Sequence, residues 1–87
     1  MTQQAIANRV QFFKKYKAGT VLHSSGKVHR VRVLSINKSQ DGEWYMRVRF
    51  KYWMGMDPEL KHVIYTILMK DVVRFKLKAS NVKIRGY

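Results

Sequence analysis

The run Glu43–Trp53, EWYMRVRFKYW, alternates in residue type at almost every step. Successive side chains on a strand point to opposite faces, so this period of two reads as one β-strand. Trp44, Met46, Val48, Phe50 and Tyr52 make one face, which suits a core. Tyr45, Arg47, Arg49, Lys51 and Trp53 make the other. That second face interleaves three cations with two large aromatics. Exposed rings offer surfaces on which bases stack, and cations hold phosphates, so the strand is expected at the middle of a nucleic-acid-binding surface. Trp53 has an alternative fate, folding into the core if the parity ends at Tyr52.

The preceding strand is read over Lys27–Asn37, KVHRVRVLSIN. Its alternation slips once: Val31 and Val33 share one parity, Leu34 and Ile36 the other. One extra residue flips the faces, so a β-bulge is predicted near Val33-Leu34. The Gln40-Asp41-Gly42 corner fits a three-residue hairpin loop with Gly in the left-handed region. That loop closes Ser39 on Glu43 and pairs Ile36 with Met46 and Leu34 with Val48. Beyond the bulge it sets Arg32 beside Arg49 and Arg30 beside Lys51. Like charges directly opposite destabilise a sheet. Four cations gathered in this way are better explained by a bound anion than by folding.

At the front of the chain, QQAIANRVQFFKKYK is expected to form an amphipathic helix over residues 3–17. Thr2 is its N-cap, Ile6, Val10 and Phe13 its core stripe, and Gly19 its terminator. A short strand follows over Thr20–His23, then a Ser24-Ser25-Gly26 turn. Gly55 and Pro58 break the chain after the central strand. The stretch Leu60–Lys70 is ambiguous. Asp57 and Pro58 are helix-start signals, whereas Val63-Ile64-Tyr65-Thr66-Ile67 is strand-like; strand is the reading adopted. The apolar run Val63–Met69 suits a buried strand or an interface, including pairing across a two-fold axis in a homodimer. Val73, Phe75 and Leu77 then alternate with Arg74, Lys76 and Lys78, and Val82 and Ile84 with Lys83 and Arg85. No internal repeat or long linker is visible. The expected architecture is α+β: a helix over 3–17 and a five- or six-stranded antiparallel sheet over 20–85, in one domain spanning 1–87.

Charge is the strongest global signal. The formal net charge is +13, and the five acids Asp41, Glu43, Asp57, Glu59 and Asp71 all lie in the middle of the chain. Self-repulsion on this scale opposes compaction, and a polyanion relieves it while releasing counterions. Nucleic acid is therefore the expected partner. RNA or single-stranded DNA is preferred to duplex DNA because their bases are exposed for stacking. The site is expected to comprise Arg30, Arg32, Arg47, Arg49, Lys51, Arg74, Lys76, Lys83 and Arg85, with Tyr45 and Trp53 as stacking rings. The alternatives are duplex DNA or an acidic surface on a host protein that this chain inhibits.

Other chemistries lack their residues. There is no cysteine, hence no disulfide or zinc-thiolate site, and a reducing cytoplasm is suitable. No phosphate-binding Gly-rich loop is present, and the three histidines are scattered without acidic neighbours at useful spacing. Five dispersed acids do not make a two-metal centre. Binding without catalysis, cofactor or metal is expected. No leading apolar run reads as a signal peptide, and no stretch approaches a membrane span.

GTVLHSSGKVHRVRVLSI followed by DGEWYMRVRF resembles the early strands of SH3-like barrels over residues 18–50, which implies a small curled barrel; an open sheet with the helix on one face is the alternative. In size and composition (short, basic, cysteine-free, rich in Lys and aromatics) the chain also resembles small accessory proteins of tailed bacteriophages. These include an RNA-binding inhibitor of a toxin–antitoxin ribonuclease. That resemblance implies a counter-defence role in the bacterial host cytoplasm.

Overall fold

The expected helix forms over Gln3–Tyr16 (α1). The computed structural model describes residues 1–51 and 57–77. The Thr2 hydroxyl accepts the Ala5 N–H at 3.1 Å, satisfying one of the donors that a first turn leaves unpaired. The helix ends at Tyr16, one residue short of the expected bound, and Gly19 is not its terminator. Lys17 takes the left-handed conformation, with φ 57°, and its N–H bonds the Phe13 carbonyl at 2.9 Å. Gly19 lies instead inside the first strand, β1 (Ala18–His23). A Cβ there would stand 2.9 Å from the Lys76 carbonyl oxygen and 3.2 Å from the Phe13 ring. Glycine is present for close packing, not for ending the helix.

Four more strands follow: β2 (Val28–Lys38), β3 (Trp44–Phe50), β4 (Ile64–Leu68) and β5 (Val72–Lys76). All pair antiparallel, in the order β4-β3-β2-β1-β5. The fold is α+β, an N-terminal helix with an open five-stranded antiparallel sheet. The sixth strand expected at Val82–Arg85 lies outside the described residues. The sheet curls strongly. Its edge strands β4 and β5 are joined by a single 3-10 turn, Met69–Asp71. A link that short spans at most roughly 14 Å, whereas five flat strands would be about 19 Å across.

The concave side is the core. Val21, Val31, Met46, Val48, Met69 and Val72 close around Val10 and Phe13 from the helix. Ile6, Phe12, Trp44, Phe50 and Tyr65 pack at the margin. Arg9 ties the helix to the far edge. Its guanidinium donates to the Val72 and Val73 carbonyls at 2.6 and 2.9 Å and lies over the Phe75 ring, 5.1 Å from its centroid.

The β2–β3 hairpin forms as expected. The Ser39 N–H bonds the Glu43 carbonyl at 2.8 Å, and Gly42 has φ 91°. The Ser39 hydroxyl donates to the Asp41 carboxylate, which also accepts the Glu43 N–H at 3.3 Å. These bonds, the hydroxyl first, hold the Asp41 carboxyl below its ordinary pKa. Ile36 faces Met46, and the register shifts between Val33 and Ser35, at the predicted bulge. One pairing differs. Val33, not Leu34, opposes Val48; Leu34 is the extra residue and stands 45% exposed. Alternation alone does not say which of the two the bulge ejects.

Two further expectations need correction. The stretch 60–70 is not one strand. Asp57 and Pro58 start a 3-10 turn, Pro58–His62, with the Asp57 carboxylate accepting the Glu59 N–H at 3.0 Å. The strand begins only at Ile64, and β4 is an edge strand, not one buried on both faces. In the last strand the pattern slips as well. The register shift between Leu22 and His23 leaves Val73 as the extra residue, so Val72 is buried and Val73 is 45% exposed. Both bulges add twist and help the sheet to curl.

Candidate nucleic-acid interface

The registers decide which cations share the convex face. Met46 and Val48 are buried, so Tyr45, Arg47 and Arg49 point outward. Arg49 lies opposite Arg32 on β2. One step further along, the Lys51 N–H bonds the Arg30 carbonyl at 2.8 Å, placing Lys51 beside Arg30. Arg30 lies opposite Thr20 on β1, and Thr20 in turn opposite Lys76 on β5. Arg74 lies opposite Leu22, again on the outward side. Arg30, Arg32, Arg47, Arg49, Lys51, Arg74 and Lys76 thus belong to one face, spread over β3, β2 and β5. Tyr45 belongs to it as well. Arg32, Arg47, Arg49, Arg74 and Lys76 are exposed; Arg30, Lys51 and Tyr45 are half-buried. Trp53, Lys83 and Arg85 lie outside the described residues.

Four of the five carboxylates are engaged elsewhere, and the fifth, Glu59, lies in the 3-10 turn. Asp41 serves the hairpin corner and Asp57 the 3-10 turn. Glu43 faces Lys70 at 3.7 Å. Asp71 accepts the Ser24 hydroxyl at 3.1 Å and faces His23 at 3.9 Å. Among the described residues, no ion pair reaches Arg30, Arg32, Arg47, Arg49 or Arg74. Arg47 instead has Ser35 on one side and Thr66 on the other. Directly opposed arginines such as Arg32 and Arg49 repel, at a cost of some tenths of a kcal/mol. The face therefore concentrates positive charge, and among the described residues no acid pairs with its arginines.

Three features escaped the sequence reading. The Trp44 ring, at the core margin, has two ammonium groups over it, Lys14 Nζ at 5.4 Å and Lys38 Nζ at 5.9 Å from its centroid. The spacing of Lys14 and Lys38 in the chain gives no hint that they meet over one indole. Leu34 adds an exposed apolar group at the bulge, lining a depression with Lys14, Lys17 and Ser35. On the concave side, His29, Phe50 and Tyr65 stack across β2, β3 and β4 as a parallel ladder, with centroids 4.4 and 4.2 Å apart. Burial, together with the positive charge of His23 and Lys27, holds the His29 pKa below its ordinary value.

Among the described residues there is no cluster of three metal-ligating side chains, and no helix is long and apolar enough to cross a membrane. No protein-family model matches the chain, and no curated protein or solved structure matches it either.

Proposed function

We propose that this protein binds RNA or single-stranded DNA, without catalysis, on the convex face of its sheet, and that it acts in the cytoplasm. The observation that carries this reading is the convergence of five arginines and two lysines on one face while the carboxylates of the chain are engaged or placed elsewhere. Arginine and lysine would hold phosphates with little sequence preference. Tyr45 supplies a ring within the cationic field, and a base stacked on such a ring gains roughly 1–3 kcal/mol. A curved sheet presenting separate side chains suits a pliant single strand, whose bases can turn toward the protein. The lack of cysteine suits a reducing compartment.

Filter binding of a labelled single-stranded RNA, titrated with salt, tests the proposal. Log affinity is expected to fall linearly with log salt concentration, by about 0.7 per phosphate contacted. Arg32→Gln and Arg49→Gln should each weaken binding and make the slope shallower by about one contact. Neither should destabilise the fold, because each relieves a like-charge pair; the unfolding free energy is expected to hold or to rise by about 0.2–1 kcal/mol. An affinity indifferent to salt, or variants that bind as tightly as the parent, would overturn the reading.

A further inference from the structure

The two edges of the sheet are built differently. β5 ends the sheet in a guarded way. It contains the Val73 bulge, its Val72 and Val73 carbonyls are occupied by Arg9, and it carries exposed Arg74 and Lys76. Bulges and edge cations of this kind discourage pairing with another strand. β4 has none of these. Its sequence, Ile64-Tyr65-Thr66-Ile67-Leu68, contains no charged residue in a chain where 26% of residues are charged. It pairs with β3 over all five residues with no shift in register. On its other side it has no neighbouring strand among the described residues. Ile64 is 49% exposed, and Val63 just before it 42%.

We propose that β4 pairs antiparallel with β4 of a second copy, about a two-fold axis at Thr66. The strand is complementary to itself. With Thr66 opposite Thr66, Ile64 meets Leu68 and Tyr65 meets Ile67, twice each. Thr–Thr and apolar cross-strand pairs are favourable, and no like charges are brought face to face. Pairing through β5 would instead bring Arg74 and Lys76 of both copies together. A two-fold axis at this position runs perpendicular to the sheet, so the Arg47–Arg49 faces of both copies look the same way. The joined sheet has ten strands, and its two β3 strands lie about 14 Å apart. The interface is small compared with a standard one, so the dimer dissociates on dilution. This inference does not depend on the nucleic-acid reading.

Sedimentation of the full chain across a wide concentration range, without nucleic acid, should show a reversible shift from monomer to dimer mass. Thr66→Lys, which places two ammonium groups on the axis, should abolish the shift while the far-ultraviolet dichroism stays native; Thr66→Val should retain it. Because the chain lacks cysteine, Thr66→Cys is a clean probe. Opposed residues in an antiparallel pair lie within disulfide reach, so mild oxidation should yield a covalent dimer. Val73→Cys, on the other edge, should not. A chain that stays monomeric, a dimer that survives Thr66→Lys, or oxidation that links the Val73→Cys variant as readily as Thr66→Cys would overturn the proposal. Occupation of this edge by the chain's own residues 78–87 or by a foreign strand would leave Thr66→Cys uncross-linked, which overturns it equally.

Discussion

Gly19 shows how one residue can be read correctly as special and for the wrong reason. A glycine shortly after an amphipathic run reads as a helix terminator. Here the left-handed cap is Lys17, and Gly19 is a position where an added Cβ would meet both the helix and β5. The Lys76 carbonyl oxygen is backbone and cannot swing aside for a Cβ at 2.9 Å. Gly19→Ala is therefore expected to destabilise the protein by about 1–3 kcal/mol, as overpacking does. Urea denaturation would measure it; an unchanged midpoint would show that β5 can shift. Arg9 makes the complementary point. It is one cation among eighteen in the composition, yet its hydrogen bonds to β5 make it structural. Only coordinates separate it from the arginines of the convex face.

At the scale of elements, the hairpin and the aromatic ladder behave differently. The hairpin is local. Asp41, Gly42 and Ser39 form its corner, and the neighbouring alternation sets its register. The ladder joins His29, Phe50 and Tyr65, residues well separated in the chain and held on three strands, and it includes a histidine whose pKa is displaced. In the folded protein His29 resists protonation, because its site is partly desolvated and close to His23 and Lys27. The unfolded chain then binds more protons at mildly acidic pH, so stability rises with pH in that range. Stability should be level above the ordinary histidine range and fall as pH drops through it toward the lower folded value. His29→Phe keeps a stacking ring without titration and should flatten that part of the profile. Thermal melts over a pH series of both proteins would check this; parallel profiles would exclude His29 as the source.

The whole molecule is dominated by its charge. With a net +13 and a convex surface rich in cations, the folded state works against its own field. Added salt screens that repulsion. The melting temperature of the protein alone should therefore rise between low and moderate salt, while its affinity for a polyanion falls over the same range. A melting temperature indifferent to salt would mean that the cations are too widely spaced to repel. The opposite signs of the two trends also separate a general charge effect on folding from a bound-anion effect on function.

Features that depend on neighbours along the chain were legible in the residue order. Thr2 as N-cap, the alternation of β3, the Asp41-Gly42 corner and a bulge near Val33-Leu34 are all local, so period and turn chemistry suffice to find them. Once that hairpin is accepted, the placement of Arg30, Arg32, Arg47, Arg49 and Lys51 on one side follows from parity alone. The rest depends on partners far away in the chain and was settled by the packed fold. It chose Leu34 over Val33 for ejection, because Val33 packs against the common core. It confined the Asp57-Pro58 signals to one 3-10 turn, because the edge position of β4 begins at Ile64. It ejected Val73 from β5 and buried Val72 instead, while Arg74 and Lys76 kept the outward side that their alternation with Phe75 indicates. Each of these choices was settled by which side chain had to enter that core, and burial is a property of the assembled sheet that no short stretch of sequence carries.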